Sequence, residues 1–278
     1  MIIEFIAVPG SGKSHFAEKL FDHLKNEMSN IGISIFNRDD INERKRMNLL
    51  AVSDNRLLIR LCILSNMVKV IDFHTLGYII NILLAPSHSF KVKRKRVMYL
   101  LDILLNYRII DDIKKECDNK CVFILDEGLL HISSMCMKKC SSSKLKRFFK
   151  ILKRKRWGKI KQLFVFIDCN TDILFDRLTE RTEGWPGNWK RLESDSKHDE
   201  LEKSHLKYIV KKKFVVKRKK KKRKKQHYII DNSVYFQNYE LFYSKIIKRI
   251  RSLGGNQLGI NKEDTKALID NLRSSIKS

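Results

Sequence analysis

Short apolar runs alternate along this chain with longer segments whose apolar residues recur every three or four positions. The runs "IIEFIA" (2–7), "ISIFN" (33–37), "CVFILDEG" (121–128), "QLFVFIDC" (162–169) and "HYIIDN" (227–232) are rich in β-branched and aromatic residues and read as strands. Helical periodicity marks 14–29, "NRLLIRLCILSNMVKVI" (55–71), 97–116, "TDILFDRLTERT" (171–182), 199–213 and 236–253. Thr171 or Asn170 is placed to cap the helix at 171. Strands alternating with helices predict an α/β fold built on a five-stranded, mostly parallel sheet. No strand signal interrupts the region between the second and third strands, so about 38–118 reads as an inserted helical lobe. The "GGNQLG" string from Gly254 reads as the end of the last helix, leaving 254–278 as a C-terminal tail.

Composition sharpens this picture in three ways. The 278 residues, 43% hydrophobic and 32% charged, describe one sizeable core or a core with a smaller lobe. "MIIEFIAV" has no basic lead-in and carries Glu4, so it reads as a strand rather than an export signal, and a cytoplasmic protein is expected. The longest membrane-like stretch, "IDFHTLGYIINILLAP" (71–86), is interrupted by Asp72 and His74, and a buried helix accounts for it. The cysteines at 62, 117, 121, 136, 140 and 169 lack accompanying histidines at ligand spacing, which favours reduced thiols over zinc.

Charge is the least ordinary property. Lysine and arginine number 58 against 31 acids, a net charge of +27. No Asp or Glu occurs from Gly128 to Ile167, and basic residues crowd 138–161; a second block, "KKKFVVKRKKKKRKK", fills 211–225. Such surfaces attract polyanions, whether nucleotide phosphates, nucleic acid or anionic membrane, although a lysine-rich face that is merely solvated has the same composition.

The residues Ala7-Val8-Pro9-Gly10-Ser11-Gly12-Lys13-Ser14 follow the first strand and open the first helix. Apart from alanine in the first position, they match the phosphate-loop pattern Gly-x-x-x-x-Gly-Lys-Ser/Thr. Gly10 and Gly12 let backbone N–H groups converge on an anion, Lys13 reaches the β- and γ-phosphates, and the Ser14 hydroxyl ligates Mg²⁺. The positive end of the following helix points the same way. A metal on such a loop needs a carboxylate at a neighbouring strand end, and Asp126 in "VFILDEG" supplies one. Glu127 follows it and is placed to polarise a hydroxyl or water. Asp39 and Asp40 leave the second strand as acceptor ligands or general bases, or else as a helix cap for "DINERKRM".

With the loop, "VFILDEG" and "FIDCNTDILFDRLTERTEG" in view, the chain resembles P-loop nucleoside and nucleotide kinases, the thymidylate-kinase-like proteins in particular. The resemblance covers most of 1–253 in element order and implies a three-layer P-loop NTPase fold. It implies that the 38–118 lobe holds the phosphate acceptor and that an arginine-bearing lid lies at about 177–194. Arg177 and Arg181 then bind nucleotide phosphate, Arg181 as the transition-state arginine, and Arg108 is a candidate for an acceptor phosphate. The family's Asp-Arg pair after the third strand is here Asp126-Glu127, a carboxylate that repels a nucleoside monophosphate.

Two function classes follow. The first is an ATP- and Mg²⁺-dependent small-molecule kinase acting on a hydroxyl or phosphate acceptor such as a nucleoside, nucleotide or sugar. The second is a P-loop ATPase or nucleotide-dependent binding module whose segments 138–161 and 211–225 contact a polyanion.

Overall fold

The computed structural model describes residues 1–8, 10–50, 65, 68–84, 89–128, 160, 162–168, 170–180, 227–231 and 239–277. The strands are β1 (Ile2–Ile6), β2 (Ser34–Phe36), β3 (Cys121–Leu125), β4 (Gln162–Asp168) and β5 (His227–Asp231). The helices are α1 (Lys13–Ser29), α2 (Arg38–Leu50), α3 (Phe73–Leu83), α4 (Phe90–Glu116), α5 (Thr171–Thr179), α6 (Tyr239–Leu258) and α7 (Lys262–Lys277). The expected α/β class with a parallel sheet is observed. The helices read over most of 55–71 and over 199–213 lie outside the described residues.

The strands hydrogen-bond in the order β2-β3-β1-β4-β5. β4 runs parallel to β1, with Ile2 opposite Gln162 and Ile6 opposite Phe166. β5 runs parallel to β4, with Phe164 opposite His227 and Asp168 opposite Asp231. Strands buried on both faces read as continuous apolar runs rather than alternating ones. That is why all five residues of β1, Glu4 included, and all five of β3 are buried. The chain leaves β1 toward β2 on one side of the sheet and leaves β3 toward β4 on the other, so the order reverses between β1 and β3. In open α/β sheets, ligands bind beyond the strand ends at such a reversal.

The chain divides into two compact units. The first comprises Met1–Ile35, Ile124–Asp126 and Lys161–Ser278. Within it α1 turns Phe16, Leu20, Leu24 and Met28 inward and packs on β1 and α7. The expected break at the paired glycines does not occur, because α6 runs through Gly254 and Gly255 to Leu258. A helix tolerates interior glycine at about 1 kcal/mol each when packing compensates, and here Ile246, Ile247, Ile250 and Leu258 are buried. The chain turns one glycine later, at Gly259 with φ +76°. Asn261 and Asp264 then exchange backbone-to-side-chain hydrogen bonds of 2.8 Å, a capping box that starts α7. Residues 262–277 are therefore a helix packed on α6 and α1.

The second unit comprises Phe36–Phe123 and Glu127–Ile160. α4 is its spine: Leu100, Leu101, Ile103, Leu104, Leu105, Tyr107, Ile109, Ile110 and Ile113 are buried. α2 and α3 each pack against it. Arg44 holds Glu116 at 2.7 Å, and Lys45 pairs with Asp102, fastening α2 to α4 by charge as well as by packing. α4 ends on two left-handed residues, Asp118 and Asn119, and the Asn119 N–H reaches back to the Lys114 carbonyl at 2.8 Å. That reversal delivers the chain into β3.

Candidate functional site

The loop after β1 is built by its glycines and one serine. Gly10 has φ +84° and Gly12 has φ +79°, left-handed conformations that glycine adopts without steric cost. Between them Ser11 is fully buried; its hydroxyl donates to the Val8 carbonyl at 2.8 Å and its N–H to the same oxygen at 3.3 Å. These two bonds close a tight turn from Val8 to Ser11. Ala7 and Val8 are buried, and Pro9 lies outside the described residues.

Gly12 is also the N-cap of α1, and it brings no side-chain acceptor. The first turn of α1 contains no acid. Polar side chains do this work at four other helices, Asn37 with Asp40 at α2, Asp72 at α3, Asn170 at α5 and Asn261 with Asp264 at α7, whereas Ser89 at α4 makes no side-chain cap bond. The start of α1 thus keeps its positive end without a carboxylate or amide cap, an arrangement suited to an external anion. Lys13, the first residue of α1, is half-buried there.

Asp126 follows β3, the neighbour of β1 in the sheet. The Ser14 hydroxyl donates to Asp126 Oδ2 at 3.1 Å, across 112 positions of sequence. A hydroxyl and a carboxylate so joined are the oxygen donors that a hard divalent cation takes. Among the described residues there is no cluster of three or more His, Cys, Asp or Glu side chains. Ser14 and Asp126 are therefore the side chains here that could contribute oxygen donors to a divalent cation.

A third part of the first unit touches the loop. A Cβ on Gly10 would lie 3.0 Å from Leu174 Cδ1 and 3.0 Å from Leu178 Cγ, so α5 packs directly on the loop backbone. Arg177, half-buried, stands between those leucines in sequence on the same helix. Arg181 lies outside the described residues, as do the basic block 211–225 and, apart from Ile160, the segment 138–161.

In the second unit Glu127 is the centre of a small polar cluster. Its Oε2 accepts from the Tyr99 hydroxyl at 3.0 Å and faces the Arg38 guanidinium at 3.1 Å. Asp40 belongs to a capping box: its N–H donates to Asn37 Oδ1 at 2.9 Å, and the Asn37 N–H donates to its Oδ2 at 2.8 Å. Of the two roles open to Asp40, the helix-cap role is the one with observed bonds. Asp39 is exposed in the first turn of α2, and Arg108 is half-buried on α4.

Sequence reasoning found Asp126 and Glu127 but not Arg38 or Tyr99 as partners of Glu127. Arg38 had a visible signal, a cation at the end of β2 next to two acids. Tyr99 had none, because its position on α4 becomes meaningful only once α4 packs. Burial pushes the Cys121 thiol up to about 11. No family model matches the chain, and no curated protein matches it significantly.

Proposed function

We propose that the chain is an ATP-dependent P-loop phosphotransferase, a small-molecule kinase of the thymidylate-kinase-like kind with a three-layer fold. One observation carries the reading: a left-handed Gly10–Gly12 loop runs into the start of α1, and Ser14 there bonds Asp126 at the neighbouring strand end.

In this reading the backbone N–H groups of 10–14 cradle the β-phosphate, and Lys13 neutralises charge on the transferring phosphoryl group. Ser14 and Asp126 would hold Mg²⁺, which would supply charge neutralisation of the phosphates. Arg177, on the helix packed against Gly10, and Arg181 beyond it supply further positive charge. Asp39 is the acceptor-side base, since Asp40 is committed to its cap. Glu127 is neutralised by Arg38, so its charge does not by itself exclude a phosphorylated acceptor. The acceptor class remains a nucleoside, nucleotide or sugar.

The second reading, a P-loop hydrolase acting on a polyanion, rests on the direct succession of Asp126 and Glu127, which places a second carboxylate next to the metal ligand. Incubation with γ-labelled ATP, Mg²⁺ and a panel of nucleosides, monophosphates and sugars separates the two. Label on an acceptor supports the kinase; label only in inorganic phosphate, at a rate indifferent to every acceptor, supports the hydrolase and refutes the kinase.

A further inference from the structure

Helix α3 contains no charged residue, yet it is buried on one face only. Thr75, Ile79 and Ile82 face the interior of the second unit, where α3 packs on α4. Phe73, Leu76, Ile80 and Leu83 recur at helical spacing on the other face, all exposed, and Leu84 extends the row. Phe73 is 85% exposed and Leu84 74%. The first turns of α4 expose further apolar side chains, Phe90 at 74% together with Val92 and Met98. The buried helix expected over 71–86 is thus half uncovered. A row of large exposed apolar side chains marks an interaction surface.

The charge beside this row is of one sign. From Phe73 to Leu101 there is no Asp or Glu, whereas Lys91, Lys93, Arg94, Lys95 and Arg96 follow Phe90 directly. Lys91, Arg94 and Lys95 are exposed. A second copy docked here would bring these cations against their own counterparts. Nucleic acid would satisfy the cations and find Phe73 and Phe90 to stack on, but it leaves the aliphatic Leu76, Ile80, Leu83 and Leu84 facing water. An anionic bilayer satisfies both halves of the surface.

We propose that the paired helices α3 and α4 form a docking site for an anionic lipid surface. The apolar row seats at the boundary of headgroups and acyl chains, and Lys91, Arg94 and Lys95 lie among the headgroups. The contact is peripheral: α3 has 11 residues, and no helix among the described residues is long and apolar enough to cross a membrane.

The test is flotation of the full chain with phosphatidylcholine vesicles, with and without phosphatidylserine, at physiological salt. The parent binds the phosphatidylserine vesicles. Leu84→Ser with Phe90→Ser, with melting unchanged, lowers that partition about tenfold or more. Replacing Lys91, Arg94 and Lys95 with glutamine lowers it about fivefold per charge removed. Phe90→Trp adds a fluorescence component that brominated lipid quenches, a direct reading of insertion. Partition unchanged by the serine pair overturns the proposal, as does an added fluorescence component in Phe90→Trp that brominated lipid leaves untouched. A lipid-free dimer that the serine pair dissociates would overturn it in favour of a contact between copies. Single-stranded DNA binding that falls equally with the serine pair would overturn it in favour of nucleic acid.

Discussion

Replacing Gly10 with alanine should cost more than its backbone conformation alone explains. The left-handed φ of +84° costs an L-residue about 1–2 kcal/mol. The new methyl group would lie 3.0 Å from Leu174 Cδ1, 3.0 Å from Leu178 Cγ and 3.1 Å from Leu178 Cδ2. Both leucines are fully buried and cannot swing into solvent, so overpacking adds about 1–3 kcal/mol. Gly32 is the internal control, with φ +70° and no atom within 4 Å of its hypothetical Cβ. Gly32→Ala therefore carries the backbone cost without the collision. At about 2–4 °C per kcal/mol for a chain of this size, Gly10→Ala should melt about 2–12 °C below Gly32→Ala. Measured in a Leu178→Ala background, the Gly10→Ala cost should fall part of the way toward the Gly32→Ala value, because two of the three colliding atoms are gone and only Leu174 Cδ1 remains. Equal melting temperatures for the two alanine variants would refute the close packing of α5 on the loop.

Other expectations follow from the two polar clusters and from one half-buried histidine. Ser14→Ala should reduce Mg²⁺-dependent nucleotide binding about tenfold while leaving melting of the free protein within about 1 kcal/mol, since it removes one exposed hydrogen bond; a magnesium response equal to the parent's would remove Ser14 from the metal site. Glu127→Gln should slow transfer to an acceptor without abolishing it, whereas complete loss of turnover with ATP still bound would favour the hydrolase. His23 lies against the Tyr243 ring, and burial lowers its pKa from 6.5 against an opposing pull from Glu27. Its protonation thus favours the unfolded chain: the neutral form's contribution is complete above pH 6.5 and is lost as pH falls toward the lowered folded value. His23→Gln should flatten that part of a melting-temperature profile between about pH 7.5 and pH 5.5, and an identical slope in both proteins would contradict it.

Much of the sheet was legible because its strands are short apolar runs bounded by turn residues, as in "IIEFIA" and "CVFILDEG". The loop was legible because its glycines sit where backbone must turn left-handed. Two local signals misled. Gly254-Gly255 reads as a stop, but buried Ile246, Ile247 and Ile250 before the pair and Leu258 after it hold the helix together. The 71–86 stretch reads as buried from its hydropathy, which cannot say how many faces have something to pack on. Contacts far apart in sequence carried no local signal, among them Tyr99 with Glu127 and Leu174 with Gly10.

The central claim is that residues 10–14 with Asp126 form a nucleotide-phosphate site, and nucleotide-dependent stability tests it most directly. ATP with Mg²⁺ at about 100 times its dissociation constant should stabilise the parent by about 2.7 kcal/mol. Lys13→Ala should melt like the parent without nucleotide and gain almost nothing from ATP and Mg²⁺. Equal stabilisation of parent and Lys13→Ala by ATP and Mg²⁺, or none in either, would contradict the account.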